Sequence, residues 1–98
     1  MVVHISLFYL KNAADADKII AALNEVPAKN PAILTSQVGP NMAVPAPVGG
    51  PDFADVAQVI TFATPEDAEA YPMSQAHLDL LEQSSGLVDH VGCAEFIV

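Results

Sequence analysis

Residues 2–10, Val-Val-His-Ile-Ser-Leu-Phe-Tyr-Leu, run without a single Asp, Glu, Lys or Arg. An extended chain turns successive side chains to opposite faces. Val3, Ile5, Leu7 and Tyr9 therefore share one face, and His4, Ser6, Phe8 and Leu10 share the other. Neither face is built for water, so both need a cover. This one segment demands a layered fold in which a sheet is packed on its two sides.

The rest of the chain supplies the layers. Asn12 to Asp17 carries polar and acidic residues suited to a helix start. Ile19, Ile20, Leu23 and Val26 then recur at helical spacing on one apolar face, and Pro27 and Pro31 are expected to end that helix. Residues 33–38 read as a second strand, closed by Gly39-Pro40. Residues 40–51 hold Pro40, Pro45, Pro47, Pro51 and Gly49-Gly50, which predicts a long loop. Residues 55–62 read as a third strand, with Val56, Gln58, Ile60 and Phe62 on one face. Thr64-Pro65-Glu66-Asp67 combines a hydroxyl cap, a first-turn proline and two acids, a strong helix start. Pro72 interrupts that helix after Tyr71. Ser74 can cap a further segment over residues 75–83, which Gly86 ends. Residues 88–98 close the chain as a strand.

The order is β-α-β-β-α-β, the ferredoxin-like α+β pattern, in one domain spanning residues 1–98. Two helical regions cover one face of a four-stranded antiparallel sheet, and the second face has no cover within the chain. The least costly cover is a second copy of the same sheet, packed as a two-fold homodimer into an α/β barrel. A chain that is 52% hydrophobic and only 15% charged also leaves little polar surface for a monomer.

Charge narrows the partners. The net charge is −9, the only cations are Lys11, Lys18 and Lys29, and there is no arginine. Phosphate backbones are bound by Lys and Arg clusters, so nucleic acid is excluded, as are anionic membrane surfaces. No apolar run approaches the roughly 20 residues of a membrane span, and the apolar N-terminus alternates like a strand and lacks a basic leader region. With one cysteine, Cys93, no intrachain disulfide can form. A cytoplasmic setting is the expectation.

Among residues that could carry chemistry, His77 stands out. On a helical projection Ala76, Leu80, His77, Leu81 and Leu78 fill one broad arc, and Asp79, Glu82 and Gln83 fill the other. His77 sits near the centre of the apolar arc and is expected to face the sheet. Two readings follow: a core imidazole satisfied by a backbone carbonyl, or a general acid or base in a pocket between helix and sheet. Tyr71, just before the Pro72 break, can be swung toward it. His4 and Ser6, beside Phe8, and Gln58, beside Val56, are isolated polar groups on apolar faces, a composition suited to a small-molecule pocket. His4, His77 and His90 lack metal-site spacing, so neither metal nor cofactor is expected. Cys93 has no adjacent cation and reads as an inert buried thiol, and His90 as a half-exposed strand residue.

Several of these residues resemble the stress-responsive A/B-barrel (Dabb) family. They are Val3-His4-Ile5-Ser6-Leu7-Phe8, Gly39 at the end of strand two, Thr61-Phe62 at the end of strand three, and Tyr71-x5-His77-Leu78. The last is similar to that family's Y-x-x-H-P-x-H segment, with Ser74-Gln75 standing where the family has His-Pro. The resemblance implies a dimeric α/β barrel. Its enzymatic members include plant polyketide cyclases of the olivetolic-acid type, which close a linear polyketide by aldol condensation without cofactor or metal. By that resemblance His77 matches the catalytic base, Tyr71 the carbonyl-polarising tyrosine and His4 a pocket histidine. Ser6, Phe8, Gln58, Val56 and Leu81 would line the substrate pocket, with Val56 at a position where the plant cyclase has another histidine. Three functions remain in play: a cofactor-free enzyme on a small carbonyl compound, a carrier of a small apolar ligand, and a stress-associated structural dimer.

Overall fold

The computed structural model describes residues 1–42 and 53–98. Four strands, β1 (Val2–Leu10), β2 (Ile33–Pro40), β3 (Val56–Phe62) and β4 (Val88–Ile97), form one antiparallel sheet in the order β2-β3-β1-β4. Three helices accompany them: α1 (Ala16–Lys29), α2 (Pro65–Ala70) and α3 (Gln75–Ser84). This is the ferredoxin-like order, with the second helical region broken in two by a 3-10 turn at Tyr71–Met73. The expected loop over residues 40–51 begins later than anticipated, because Pro40 still pairs with Val56. Residues 43–51 of it lie outside the described residues. A proline is tolerated there because β2 is an edge strand.

The helix boundaries follow local chemistry. The Asn12 side chain accepts from the Ala14 amide, opening a short 3-10 turn (Ala13–Asp15) before α1. Ile19, Leu23 and Val26 are buried on one stripe of α1, as their spacing requires. Pro27 does not end this helix, which continues to Lys29. It falls in the last turn, where its missing N–H forfeits one backbone bond while Asn30 provides the extended exit. Thr64 caps α2 through the Asp67 amide, and Ser74 caps α3 through the His77 amide. Gly86, at φ +83°, takes the left-handed conformation that reverses the chain after α3.

The core lies between the sheet and the helices. Val2, Phe8, Val56, Ile60 and Phe62 from β1 and β3 pack against Ile19, Leu23 and Val26 of α1, with Ala68, Tyr71, Ala76 and Leu80 completing the layer. On α3 the buried stripe is Ala76, Leu80 and Ser84, narrower than the projected arc. Leu78 and Leu81 are exposed, and His77 is half-buried at the edge of the stripe instead of its centre. An outer contact also ties α1 to α3: Lys29 Nζ lies 3.4 Å from Asp79 Oδ2, and Gln83 donates to Glu25 at 3.2 Å.

Among the described residues, no helix lies over the other sheet face. Val3, Ile5 and Tyr9 remain half-buried there, while Leu7 and Phe96 are 37% and 48% exposed. Thr35 and Thr61 bond hydroxyl to hydroxyl across β2 and β3 on the same side.

Leu23→Ala should lower unfolding free energy by about 2–5 kcal/mol, since it opens a cavity in the core. Leu78→Ala, on the exposed side of α3, should stay within about 0.5 kcal/mol. Urea denaturation of the two variants checks the placement of both helices.

Candidate functional site

Between the inner faces of β1 and β4 and the overhanging turn and α3 lies a cavity of about 470 Å³. Core packing does not close it because α1 sits over β2 and β3 and α3, and leaves β4 uncovered. The strand register builds its polar floor. Ser6 pairs with Gln58 on one side and with Cys93 on the other, and His4 faces Glu95 across the β1–β4 ladder. Paired residues in antiparallel strands share a face, so these groups converge on the cavity.

Tyr71 occupies the centre of the wall. The 3-10 turn presses its ring into contact with three others: Phe62 at 5.6 Å, His77 at 5.0 Å and His4 at 5.8 Å between centroids, the two histidines edge-on. The residue is 2% exposed, yet its hydroxyl closes no hydrogen bond among the described residues. The Gln58 carboxamide is 1% exposed, and its Nε2 is likewise unpartnered. Burial pushes the Tyr71 phenol up to about 12, with Cys93 adding slightly and the nearby Gln58 side chain opposing. Gln58 thus lies close enough to influence the phenol without completing a well-formed bond to it. At neutral pH Tyr71 is a proton donor, held protonated.

The segment Tyr71 to His77 is arranged by two further bonds. Ser74 donates its hydroxyl proton to the Tyr71 carbonyl at 2.6 Å and accepts from the His77 amide at 3.3 Å. His77 Nδ1 lies 3.0 Å from the Pro72 carbonyl oxygen. A carbonyl only accepts, so Nδ1 carries the proton, and in the neutral imidazole Nε2 keeps its lone pair. The core-histidine reading is therefore half right: a backbone carbonyl satisfies one nitrogen. The imidazole is nevertheless not walled in, for it lines the cavity.

Over residues 2–98 the sequence matches the family described as Stress responsive A/B Barrel Domain. The chain belongs to that family. No curated protein sequence matches it. Among solved structures, a dimeric ferredoxin-like protein of unknown function from Bacteroides fragilis is similar with a TM-score of 0.77 and 21% identity, over 99% of this chain and 95% of that one. A protein from Arabidopsis thaliana gives a TM-score of 0.81 at 15% identity, over 100% and 95% of the two chains. The hydroxynitrile lyase from Passiflora edulis gives 0.79 at 20% identity, over 99% and 92%. At these identities the likeness is one of fold.

In this A/B barrel, His4, Ser6, Phe8, Gln58, Tyr71, His77 and Leu81 all line the cavity. Val56 does not. It is fully buried in the core, two residues along β3 from Gln58, and is not among the residues lining this cavity. Cys93 and Glu95 line the cavity without having been anticipated. Cys93 is exposed instead of buried, because no helix among the described residues packs closely on β4 at that point. The alternation Val91, Cys93, Glu95 would have revealed their common face, but only the β1–β4 register sets it against His4 and Ser6. His90 is exposed on the opposite face, stacked on Tyr9 at 4.2 Å. Among the described residues no three His, Cys, Asp or Glu side chains converge as metal ligands. Nor is any helix there long and apolar enough to cross a membrane.

The raised phenol couples to stability with a definite sign. Between pH 10 and 12 the unfolded chain has lost the Tyr71 proton that the folded chain retains, so ν_U is below ν_N and stability falls as pH rises. Urea midpoints measured across that window should decline in the native protein and decline less in Tyr71→Phe. Ultraviolet titration should show the corresponding late phenolate step, absent from the variant.

Proposed function

We propose that this protein is a homodimer whose cavity carries out cofactor-free proton transfer on a small, uncharged carbonyl compound, of the aldol, cyclase, lyase or isomerase type. In this reading His77 is the general base, Tyr71 donates to the carbonyl oxygen, and His4 supports the far side of the Tyr71 ring. Ser6, Phe8, Gln58 and Leu81 contact the substrate.

The observation that carries the proposal is the paired state of Tyr71 and His77. The Pro72 carbonyl holds the Nδ1 proton of His77 and leaves Nε2 basic, and the adjoining phenol is buried, protonated and unpartnered. Enolate chemistry needs this combination: a base for the α-proton and a donor for the oxygen on which charge develops. Placing the donor in a low-dielectric wall strengthens its contribution. The hydroxynitrile lyase of similar fold is a precedent for a lyase on this scaffold. Neutral substrates are favoured, because the chain carries −9 and puts Glu95 at the cavity.

The dimer part of the proposal is supported by the helix-free sheet face with its exposed Leu7 and Phe96, and by the dimeric neighbour from Bacteroides fragilis. Two such faces, packed together, would bury the row Val3, Ile5, Leu7 that the chain's own helices leave open. A cytoplasmic setting goes with this proposal, supported by the free Cys93 thiol.

Deuterium incorporation α to the carbonyl of cyclohexanone, followed by NMR in D₂O, tests the chemistry without knowledge of the natural substrate. Native protein should accelerate exchange, His77→Gln should reduce that acceleration by roughly 100-fold, and Tyr71→Phe should reduce it by about tenfold or more. Unchanged exchange in His77→Gln sinks the base assignment. Retained binding of the ketone with no exchange in the native protein selects the carrier function instead. Sedimentation equilibrium at micromolar concentration should give twice the mass of the 98-residue chain, and Leu7→Glu should shift it to the monomer.

A further inference from the structure

A second set of side chains in the cavity has the connectivity of a hydrolase. His4 Nε2 lies 2.9 Å from Ser6 Oγ, and His4 Nδ1 lies 3.5 Å from Glu95 Oε1. At that distance the carboxylate makes a charge contact with the ring and no closed hydrogen bond, and it favours the tautomer that turns Nδ1–H toward it. Nε2 is then free to take the Ser6 hydroxyl proton. The imidazole is largely buried while the Glu95 carboxylate is half exposed, so the orienting charge reaches the site from its rim. Cross-strand pairing of His4 with Glu95, and the alternation that sets Ser6 beside His4, fix this order on a rigid sheet and not on loops. Ser6 Oγ also meets Cys93 Sγ at 3.8 Å.

The cavity also holds two donors without a partner among the described residues: Gln58 Nε2 and the Tyr71 hydroxyl, each on a residue at least nine-tenths buried. Gln58 pairs directly with Ser6 across β1 and β3, and Tyr71 touches the His4 ring. A nucleophile bonded to a base, a base oriented by a carboxylate, and nearby donors for an oxyanion make up the constellation of acyl transfer, recognised by role whatever the fold.

We infer that Ser6 is a covalent nucleophile toward small, uncharged esters with a short apolar acyl group, with His4 as its base and Glu95 as the residue that positions His4. Ser6 Oγ attacks the ester carbonyl as its proton passes to His4 Nε2, and the carbonyl electron pair moves onto an oxygen held by Gln58 and Tyr71. Collapse breaks the bond to the alkoxy group, which leaves as the alcohol with the proton returned from His4. Water, deprotonated by His4, then attacks the acyl-Ser6, releasing the carboxylic acid and restoring the serine. Ester and water are consumed, acid and alcohol are formed, and no redox partner is needed. Phe8, Leu80 and Val91 supply an apolar pocket for the acyl chain. This activity shares Tyr71 and Gln58 with the His77 reading but has its own base and nucleophile, so labelling of Ser6 reads it separately from ketone exchange at His77.

The test uses the native protein with p-nitrophenyl butyrate. A burst of nitrophenolate should accompany a mass gain of one butyryl group, and peptide mapping should place that group on Ser6. A fluorophosphonate probe should label the same residue, which requires no variant to fold. Ser6→Ala should lose both adducts, His4→Gln should slow acylation about 100-fold, and Glu95→Gln should slow it with partial recovery in Glu95→Asp. Acylation found on Cys93 or on lysine alone, a burst that survives Ser6→Ala, or no adduct with either reagent would overturn the assignment.

Discussion

β1 is hydrogen-bonded along both edges, to β3 on one side and β4 on the other, and each feature of the cavity depends on that double pairing. Its inner face holds Phe8, Ser6 and His4 in a row. Pairing brings Gln58 beside Ser6 from one neighbour, and Cys93 and Glu95 beside Ser6 and His4 from the other. A slip of one residue in either ladder would turn the polar partners to the opposite face. The apolar outer residues of β1, which need cover of their own, resist such a slip because it would expose the inner core. The register that makes the fold stable is the one that assembles the floor of the site.

The junction of this floor with the wall opposite carries a cost. A buried hydroxyl or amide without a partner forfeits about 1–3 kcal/mol, and Tyr71 and Gln58 together contribute two such groups in one small region. Aromatic packing offsets part of this, since the Tyr71 ring is enclosed by Phe62, His4 and His77. A ligand offering an acceptor oxygen recovers more of it. The function proposed above rests on this: buried donors without partners discriminate against ligands that lack the matching oxygen.

Element order, the helix caps and the two-faced character of β1 were all readable from residue spacing, because each depends on neighbours within a few positions. Ser74 shows how far local reasoning reaches: its cap on α3 is a property of four consecutive residues, and it also fixes the carbonyl end of Tyr71. The errors arose where tertiary placement decides. Pro27 was tolerated because it fell in a last turn, Val56 was taken into the core, and Leu78 was left outside because α3 rests on a narrower stripe than a projection implies. Cys93 and Glu95 went unrecognised for a related reason. Their role depends on the offset between the first and last strands, separated by most of the chain, and periodicity within β4 cannot supply that offset.

The contact between α1 and α3 places part of the cavity's roof within reach of salt. Lys29 bridges to Asp79 and Gln83 to Glu25 at the protein surface, where ion pairs are weak and readily screened. The floor is held by ladders of backbone bonds that salt scarcely affects, whereas the roof bearing His77 is held partly by exposed side chains that it does affect. Ionic strength therefore bears on the roof through the Lys29–Asp79 pair and on the floor only at its rim, where Glu95 faces His4, while the strand ladders hold the base.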